Sequence, residues 1–591
     1  MFLKKHPRFK DGKDHIYYSL CETVRTERGP RQRKVCYPGE LNCDGERAWR
    51  KVIQVVDAKG ETRQLSLFPE GVCLPPEKDV VSVRLSGVRW ERPRDFGDVY
   101  AAWALWQRLG LDEFYRQQID QAEDTADVPW SLVAALLTIN RLCAPRSELF
   151  IDEKWYRRTA LDDVPGVPDE KVTKDRLYHC LDLLIKNKDA VEKHLKAKWG
   201  ELFGATYDIL LYDLTSTYFE GAAEGNPQAK RGHSRDHRSD CKQVIIALIV
   251  SEEGFPSAFE VPDGNRRDVT TLQDMLDIID NKYGHARRVW IFDRGVVSEE
   301  NLKVLRTRKT PYIVGTPRSA LKAYEKELTS SDWQRIRDEV EVHSVPRVSG
   351  DETFLLARSV GRQKKEKAMR ELAMKRLEAG FTKLAKAVSV GRLKDDKKIH
   401  IKIGQLLGRY PSVARLYAAE LREESGVRAF RWSVRQDRLH LRQITEGAYL
   451  LRTNLKDMEL AKLWDIYRQL TEAEAAFRAI RSERMVRPIW HHKEKRAQAH
   501  ILVAFLGYAL WVTLKHSLKG SNFLHEYDYD VSPWEALHTL SRIKSGDLIL
   551  PTTDGRTLRL RRVCEPDQDS RNVLGKLKIS LPGLIWAGEQ M

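Results

Sequence analysis

The apolar positions change rhythm several times along the chain, and those changes mark its organisation. Up to about residue 90 the pattern is strand-like and basic: His15–Arg25, a Gly29-Pro30 turn and Arg33–Tyr37 read as a hairpin. From about Asp95 to Gly204 apolar residues recur three and four apart. That spacing predicts helices over Val99–Leu109, Trp130–Leu142, Asp175–Leu184 and Ala190–Leu202, packed as a bundle. At Thr206 the rhythm turns to short strands. The run Tyr207–Phe219 is followed by a polar loop over 221–240, then Lys242–Val250, a turn at Glu252–Pro256 and Ser257–Val261, which together read as an antiparallel meander. A helix over Thr271–Asn281 follows, capped by Thr270 or Thr271. Next come a short strand ending at Phe292-Asp293, a helix at Glu299–Leu305 and a strand at Pro311–Gly315.

Between Thr316 and about Asn454 that order breaks. Strand-like pieces at Glu341–Val345, Thr353–Ser359, Phe430–Val434 and Tyr449–Thr453 surround a basic helical segment. A helix resumes from Glu459 to about Glu483, and an apolar one reaches Leu514. A C-terminal stretch holds Trp534–Ile543, a strand pair at Asp547–Leu550 and Thr557–Leu560, and a last segment at Val573–Leu581. Three antiparallel strands, a helix, a strand, a helix and a strand, as read over 206–315, match the order of an RNase H-like fold. The fold class is therefore mixed α/β: an RNase H-like core interrupted by a β-rich insertion, with an N-terminal helical domain and a small C-terminal unit. The expected division is a basic β-hairpin arm at 1–90, a helical domain at 91–204, the first half of the core at 205–315, the insertion at 316–454, the second half of the core at 455–515 and an appended unit at 516–591.

Composition narrows what such a protein handles. Lys and Arg outnumber Asp and Glu by 101 to 85, for a formal charge of +16, which suits a polyanionic partner, nucleic acid first, and also fits a merely basic enzyme. Residues 361–402 alone hold 14 Lys or Arg against 5 Asp or Glu; that run reads either as a solvated helical face or as a surface that tracks phosphates. The hairpin arm is open to the same two readings. Eight scattered cysteines form no CxxC pair, so neither a disulfide framework nor a zinc knuckle is expected, and a reducing cytosol is the simplest home. The first ten residues lack a signal-type apolar core. Ala499–Leu514 is short for a membrane span and is interrupted by His500 and Gly507, so a buried helix is expected there.

The candidate chemistry begins with acids set into apolar strands. Asp213 sits inside Tyr207–Phe219 and Asp293 ends a second short strand about eighty residues later. An ionised carboxylate is costly to bury unless it is paired or holds a metal. In the proposed order these are the first and fourth strands, which are neighbours, and two carboxylates brought together repel unless a divalent cation lies between them. Oxygen ligands with no His or Cys in either strand favour Mg²⁺ or Mn²⁺ over zinc. A buried salt bridge, with Arg294 the nearest partner, is the plainer reading for either acid alone. A third acid is selected by helix geometry. At about 100° per residue, Tyr467, Glu474, Arg478 and Arg481 fall within a face of roughly 60°, whereas Glu472 points about 140° away from Tyr467. Glu474 is the candidate, against the alternative of an ordinary surface Glu–Arg pair.

These residues carry a resemblance. Asp213 in Tyr-Asp-Leu-Thr-Ser-Thr, Asp293 in Phe-Asp-Arg-Gly, and Tyr467-x2-Leu470-x3-Glu474-x6-Arg481 resemble the DDE transposases of bacterial insertion sequences. The nearest group is the insertion-sequence-4 superfamily, and within it the insertion-sequence-1634-like branch. Its Y-x2-R-x3-E-x6-K signature is met at Tyr467 and Glu474, keeps a base as Arg481, and departs at Leu470. The loop from Ser234 to Asp240, the Gly264-Asn265 turn and Tyr449–Asn454 are also similar to that branch. The resemblance implies a cut-and-paste transposase that binds terminal inverted repeats. Two Mg²⁺ or Mn²⁺ ions on Asp213, Asp293 and Glu474 would serve strand cleavage and transfer. It implies DNA contacts from Tyr467, Arg478 and Arg481, with Arg294, Arg235 and Arg238 as further candidates. The expected partners are double-stranded DNA, both element ends and target, and a second copy in a homodimer on paired ends. No membrane is expected, and the setting is a bacterial cytoplasm, at the nucleoid. An RNase H-like nuclease that cuts without joining and a non-enzymatic DNA-binding descendant are the competing readings.

Overall fold

The computed structural model describes residues 2–10, 13–26, 29–40, 55–56, 62–63, 83–121, 127–232, 238–266, 272–283, 288–292, 298–337, 339–346, 352–424, 427–455, 458–469, 486–524 and 530–590. The fold is mixed α/β, and the chain divides into two units, one comprising Met1–Phe203, Phe219–Asn226 and Ala479–Met591, the other Gly204–Tyr218 and Pro227–Arg478. The stretch 455–515, expected as one half of the core, contributes to both.

The second unit is built on a nine-stranded sheet. Its strands in chain order are β1 (Ile209–Tyr218), β2 (Gln243–Ser251), β3 (Pro256–Glu260), β4 (Val289–Phe292), β5 (Tyr312–Gly315), β6 (Gln334–Arg337), β7 (Val340–Pro346) and β8 (Thr353–Ser359). A separate hairpin of β9 (Tyr417–Glu424) and β10 (Val427–Val434) precedes β11 (Ala448–Thr453), which returns to the sheet. The strand order is β6-β7-β8-β11-β5-β4-β1-β2-β3. β1, β2 and β3 form the antiparallel meander read from the sequence, and β4 and β5 run parallel to β1. That order, β3-β2-β1-β4-β5, is the RNase H-like topology. Parallel strands need a crossover, and α2 (Glu299–Thr307) supplies it between β4 and β5; α1 (Leu272–Tyr283) precedes β4. Ser298 starts α2 by accepting the Asn301 N–H at 3.1 Å. β2 is buried at every position, as expected of an apolar run covered on both faces.

The strand-like pieces of the expected insertion have two destinations. β6, β7, β8 and β11 extend the core sheet, because β11 lies antiparallel between β5 and β8. Residues 360–447 leave the sheet as a largely helical excursion of α3 (Val360–Ser389), α4 (Asp396–Arg409), the β9–β10 hairpin and α5 (Gln436–Ile444). Leu377, Phe381, Leu384 and Val388 of α3, spaced to share one face, bury against Ile399 and Ile403 of α4 and Tyr417 and Phe430 of the hairpin. The excursion opens and closes on neighbouring strands. Arg358 pairs with Ala448, and the Ser359 N–H donates to the Gly447 carbonyl at 3.0 Å. After β11 comes α6 (Leu460–Arg468), whose Leu463, Trp464 and Ile466 are buried. The helix expected there extends to Glu483; residues 470–485 lie outside the described ones.

In the first unit Glu494–Ser517 is the core helix, lying against Trp130–Cys143 and Lys174–Leu184. It is the one helix among the described residues long and apolar enough to cross a membrane, and 94 % of its apolar window is buried inside the protein. Gly507 permits the close approach, since a Cβ there would lie 2.7 Å from the Cβ of Arg141. The hairpin read near the N-terminus is a three-stranded sheet of Phe2–Lys10, Lys13–Thr26 and Gly29–Glu40. The C-terminal strands Lys544–Pro551 and Thr557–Val563 pair centrally in a six-stranded sheet. There the buried Asp547 accepts from Arg561 at 2.7 Å and from Arg559.

Candidate active site at the strand ends

The register of β1, β4 and β5 defines one row across the sheet: Tyr212 pairs with Phe292, and Phe292 with Val314. All three are buried, because strands at the centre of a covered sheet carry apolar residues on both faces. The next residue along each strand is the one that matters. On β1 it is Asp213, still within the strand and opposite Leu248 of β2. On β5 it is Gly315, at the strand end. Asp293 follows Phe292 in sequence and, with Arg294, lies outside the described residues. Thus the two strands expected to deliver the acids are hydrogen-bonded parallel neighbours, and the residues preceding the two acids face each other.

Tyr467 of α6 lies against the position that follows this row on β5. A Cβ on Gly315 would stand 2.6 Å from the Tyr467 hydroxyl, so the ring of a residue on α6 lies directly over the end of β5. Glycine here makes room for the phenol. The adjoining segment is anchored by Arg452 of β11, which donates to the buried Glu352 at 2.7 Å and also to Glu299, the first residue of α2. The Arg452 guanidinium holds the Glu299 carboxyl below the usual carboxylate range.

Of the remaining sequence candidates, Glu474, Arg478 and Arg481 fall in 470–485 and Arg235 in 233–237, all outside the described residues. Arg238 is described. Its guanidinium donates to Asp240 at 3.0 Å, holding that carboxyl at about 2, and stacks 4.8 Å over the Tyr218 ring at the far end of β1. Tyr218 is five residues beyond Asp213, about 16 Å along a strand. The structure therefore places Asp213 one residue past the Tyr212–Phe292 pair and Tyr467 against Gly315, two strands away, with Arg238 at the far end of β1.

One ligand-like group was not foreseen. Among the described residues, Glu148, His491 and His500 of the first unit are buried with ligand atoms within 4.8 Å of one another. No sequence signal pointed to them, since they lie on three separate segments. The Arg141 guanidinium already fills the position a metal would take: its Nη2 donates to Glu148 Oε1 at 2.9 Å and to His500 Nδ1 at 3.2 Å. His500 Nε2–H donates to the Val486 carbonyl at 3.1 Å, and His491 Nε2 lies 3.5 Å from Glu148 Oε2. Burial pushes the Glu148 carboxyl up, but His491, His500 and Arg141 outweigh it and hold it well below the carboxylate range. Burial, with Arg141 alongside, lowers His500 to about 4. A fixed cation among these donors repels a metal ion, so the group is a neutralised ion-pair network.

Comparison with known proteins adds the family. The profile described as transposase DDE domain matches residues 204–510, more than half of the chain. No curated protein matches the chain. Among solved structures, a piggyBac transposase synaptic complex with hairpin DNA, determined by cryo-EM, is similar at 8 % identity and a TM-score of 0.33, over 77 % of this chain and 82 % of that one. The profile match spans the core strands, β1 to β5, and continues past α6. The chain belongs to the transposase DDE domain family and is, by that membership, an enzyme of DNA strand cleavage and transesterification.

Proposed function

We propose that this transposase binds the terminal inverted repeats of its element, cleaves the strands at those ends and joins them to target DNA by cut-and-paste transposition. The observation that carries the reading is the parallel pairing of β1 with β4 through Tyr212 and Phe292, which supports convergence of Asp213 and Asp293. With Glu474 they form a donor set of hard carboxylate oxygens, the chemistry that suits two Mg²⁺ or Mn²⁺ ions. Bound there, such ions would supply charge to the scissile phosphate during in-line displacement: water would attack the phosphodiester and release a 3′-OH, and that 3′-OH would then attack a target phosphodiester and displace the target strand's own 3′-oxygen. Two of the three residues lie in or next to strands of a buried sheet, which would limit their movement. Tyr467, over the end of β5, is placed to position a DNA-end phosphate through its hydroxyl, and Arg478, Arg481 and Arg294 would neutralise phosphates near the cut. Arg238, some 16 Å further along β1, with Arg235 in the same loop, would hold DNA flanking the cut. We assign the chain to the insertion-sequence-1634-like branch of the insertion-sequence-4 superfamily, acting as a homodimer on paired ends at the bacterial nucleoid.

The test uses the full chain with a plasmid bearing the element's two ends, and separately with pre-cleaved, 3′-OH-ended duplex. Mg²⁺-dependent nicking and joining are expected, both lost in Asp213→Asn with end binding retained. Nicking without joining would replace this reading with that of a nuclease, and a fully active Asp213→Asn would remove that residue from the chemistry.

A further inference from the structure

α3 presents a second stripe besides the one buried in the excursion's core. Arg362, Lys365, Met369, Leu372 and Arg376 lie three and four residues apart between its start and its middle and line a groove of about 890 Å³, whose lining also includes Tyr410 and Arg442. Six Arg or Lys side chains face this groove against one acid, Glu366. Three of the six are committed. Arg318 and Arg362 donate to Glu366, and Arg370 pairs with the buried Glu446 at 2.7 Å. Burial pushes Glu366 up, but the two arginines outweigh it and hold it at about 2, so the one acid is neutralised. Lys365, Arg376 and Arg442 have no carboxylate partner among the described residues.

Between these cations the groove is apolar and open. Met369 is 63 % exposed and Leu372 49 % exposed, side by side on the stripe. Large apolar side chains left in water amid unpaired cations have a cost unless something covers them. A duplex backbone offers phosphates but no apolar face; a single strand offers both, since its unpaired bases lie flat on neighbouring side chains. From Lys365 to Arg376 the helix rises about 16 Å, the length of roughly five stacked nucleotides.

We infer that this groove of the helical excursion is a binding site for one unpaired nucleic-acid strand, with phosphates on Lys365, Arg376 and Arg442 and bases against Met369 and Leu372. The inference rests on the reading of DNA as substrate and gives that substrate a second, single-stranded point of contact.

The experiment measures fluorescence anisotropy of a labelled strand of about 20 nucleotides, and of its duplex, with the full chain in EDTA over a salt series. Lys365→Gln/Arg376→Gln/Arg442→Gln is expected to weaken single-strand binding at least tenfold and to reduce the slope of log affinity against log salt by about 2. Met369→Ser/Leu372→Ser should weaken it about fivefold or more with the slope unchanged, and should spare the duplex. Lys364→Gln/Lys367→Gln/Lys375→Gln, exposed charges on other faces of α3, serves as the control and should change neither by more than about twofold. Melting curves confirm that each variant is folded. Wild-type single-strand affinity in the first variant, or an equal loss in the control, overturns the site. Single-strand binding through the groove by a protein that neither nicks nor joins with Mg²⁺ would retain the site and overturn the function proposed above.

Discussion

Two places in this chain raise the question of metal binding, and they differ in what stands beside their carboxylates. At the strand ends of the second unit, Asp213 follows Tyr212, the register partner of Phe292, and Gly315, two strands away, is cleared for the Tyr467 hydroxyl. In the first unit Glu148, His491 and His500 approach one another as ligands do, yet the Arg141 guanidinium is already hydrogen-bonded to two of them. Ligand spacing alone therefore does not make a metal site. Where a fixed cation already neutralises the donors, as Arg141 does here, the group stabilises the fold instead of serving chemistry.

The sharpest way to break that contrast is to remove one acid from each place. Asp213→Asn should lower nicking by roughly a thousandfold or more while the melting temperature stays near wild type. Glu148→Gln should do the reverse. It leaves Arg141 buried without its counter-charge and should cost about 3–5 kcal/mol in chemical denaturation, with nicking by the folded fraction unchanged. A large activity loss in folded Glu148→Gln protein would erase the distinction.

Acid should affect the first unit through His500. Its pKa falls from 6.5 to about 4 on folding, so between those values the unfolded chain binds a proton that the folded chain does not. Stability must then fall as pH drops from about 6.5 to 4, by on the order of 3 kcal/mol, and be flat for this group above 7. His500→Asn should show a shallower slope across that window in parallel melts; an unchanged slope would deny the network its role.

A smaller effect is expected at the other place. Gly315→Ala puts a methyl group 2.6 Å from the Tyr467 hydroxyl and should cost about 1–3 kcal/mol, with nicking reduced as the phenol is displaced. Tyr467→Phe in the same chain should recover the stability but not the activity, a split that a purely packing role for Tyr467 does not give. The smallest expected effect is a null one: in the Asp213→Asn chain, where the proposed carboxylate site is disabled, Zn²⁺ and chelator should each leave the melting temperature within about 1 °C, since Arg141 excludes the ion. A saturable rise with Zn²⁺ would reverse the assignment of Glu148, His491 and His500.

Much of this was legible along the chain because the signals were local. Asp213 and Asp293 stood out as acids in short apolar runs, and the meander followed by helix and strand gave the sheet order in which β1 and β4 are neighbours. The buried helix around His500 and the basic helix of the excursion were equally plain. What escaped depended on distant pairings. β11 inserts between β5 and β8 although it lies far from both in sequence, so strands that looked like members of a separate domain join the core sheet. Gly315 gave no hint of its partner on α6, and Glu148, His491 and His500 meet only through tertiary packing. The exposure of Met369 and Leu372 was equally hidden, because helical spacing shows which residues share a face and not what covers them.

The way the excursion leaves and rejoins the sheet has a consequence for how such a protein can change. Residues 360–447 begin and end on adjacent antiparallel strands, joined at their base by the Ser359 to Gly447 hydrogen bond. In topological terms the whole helical excursion occupies the turn of a β-hairpin. Its hydrophobic core is its own, formed by α3, α4 and the β9–β10 hairpin. Such a segment can be exchanged, enlarged or cut back to a two-residue Asn-Gly turn with the β8–β11 ladder intact, since closing a hairpin asks only that its strands stay in register. The strand ends proposed to carry the chemistry and the groove that would grip a single strand can therefore evolve, or be engineered, separately.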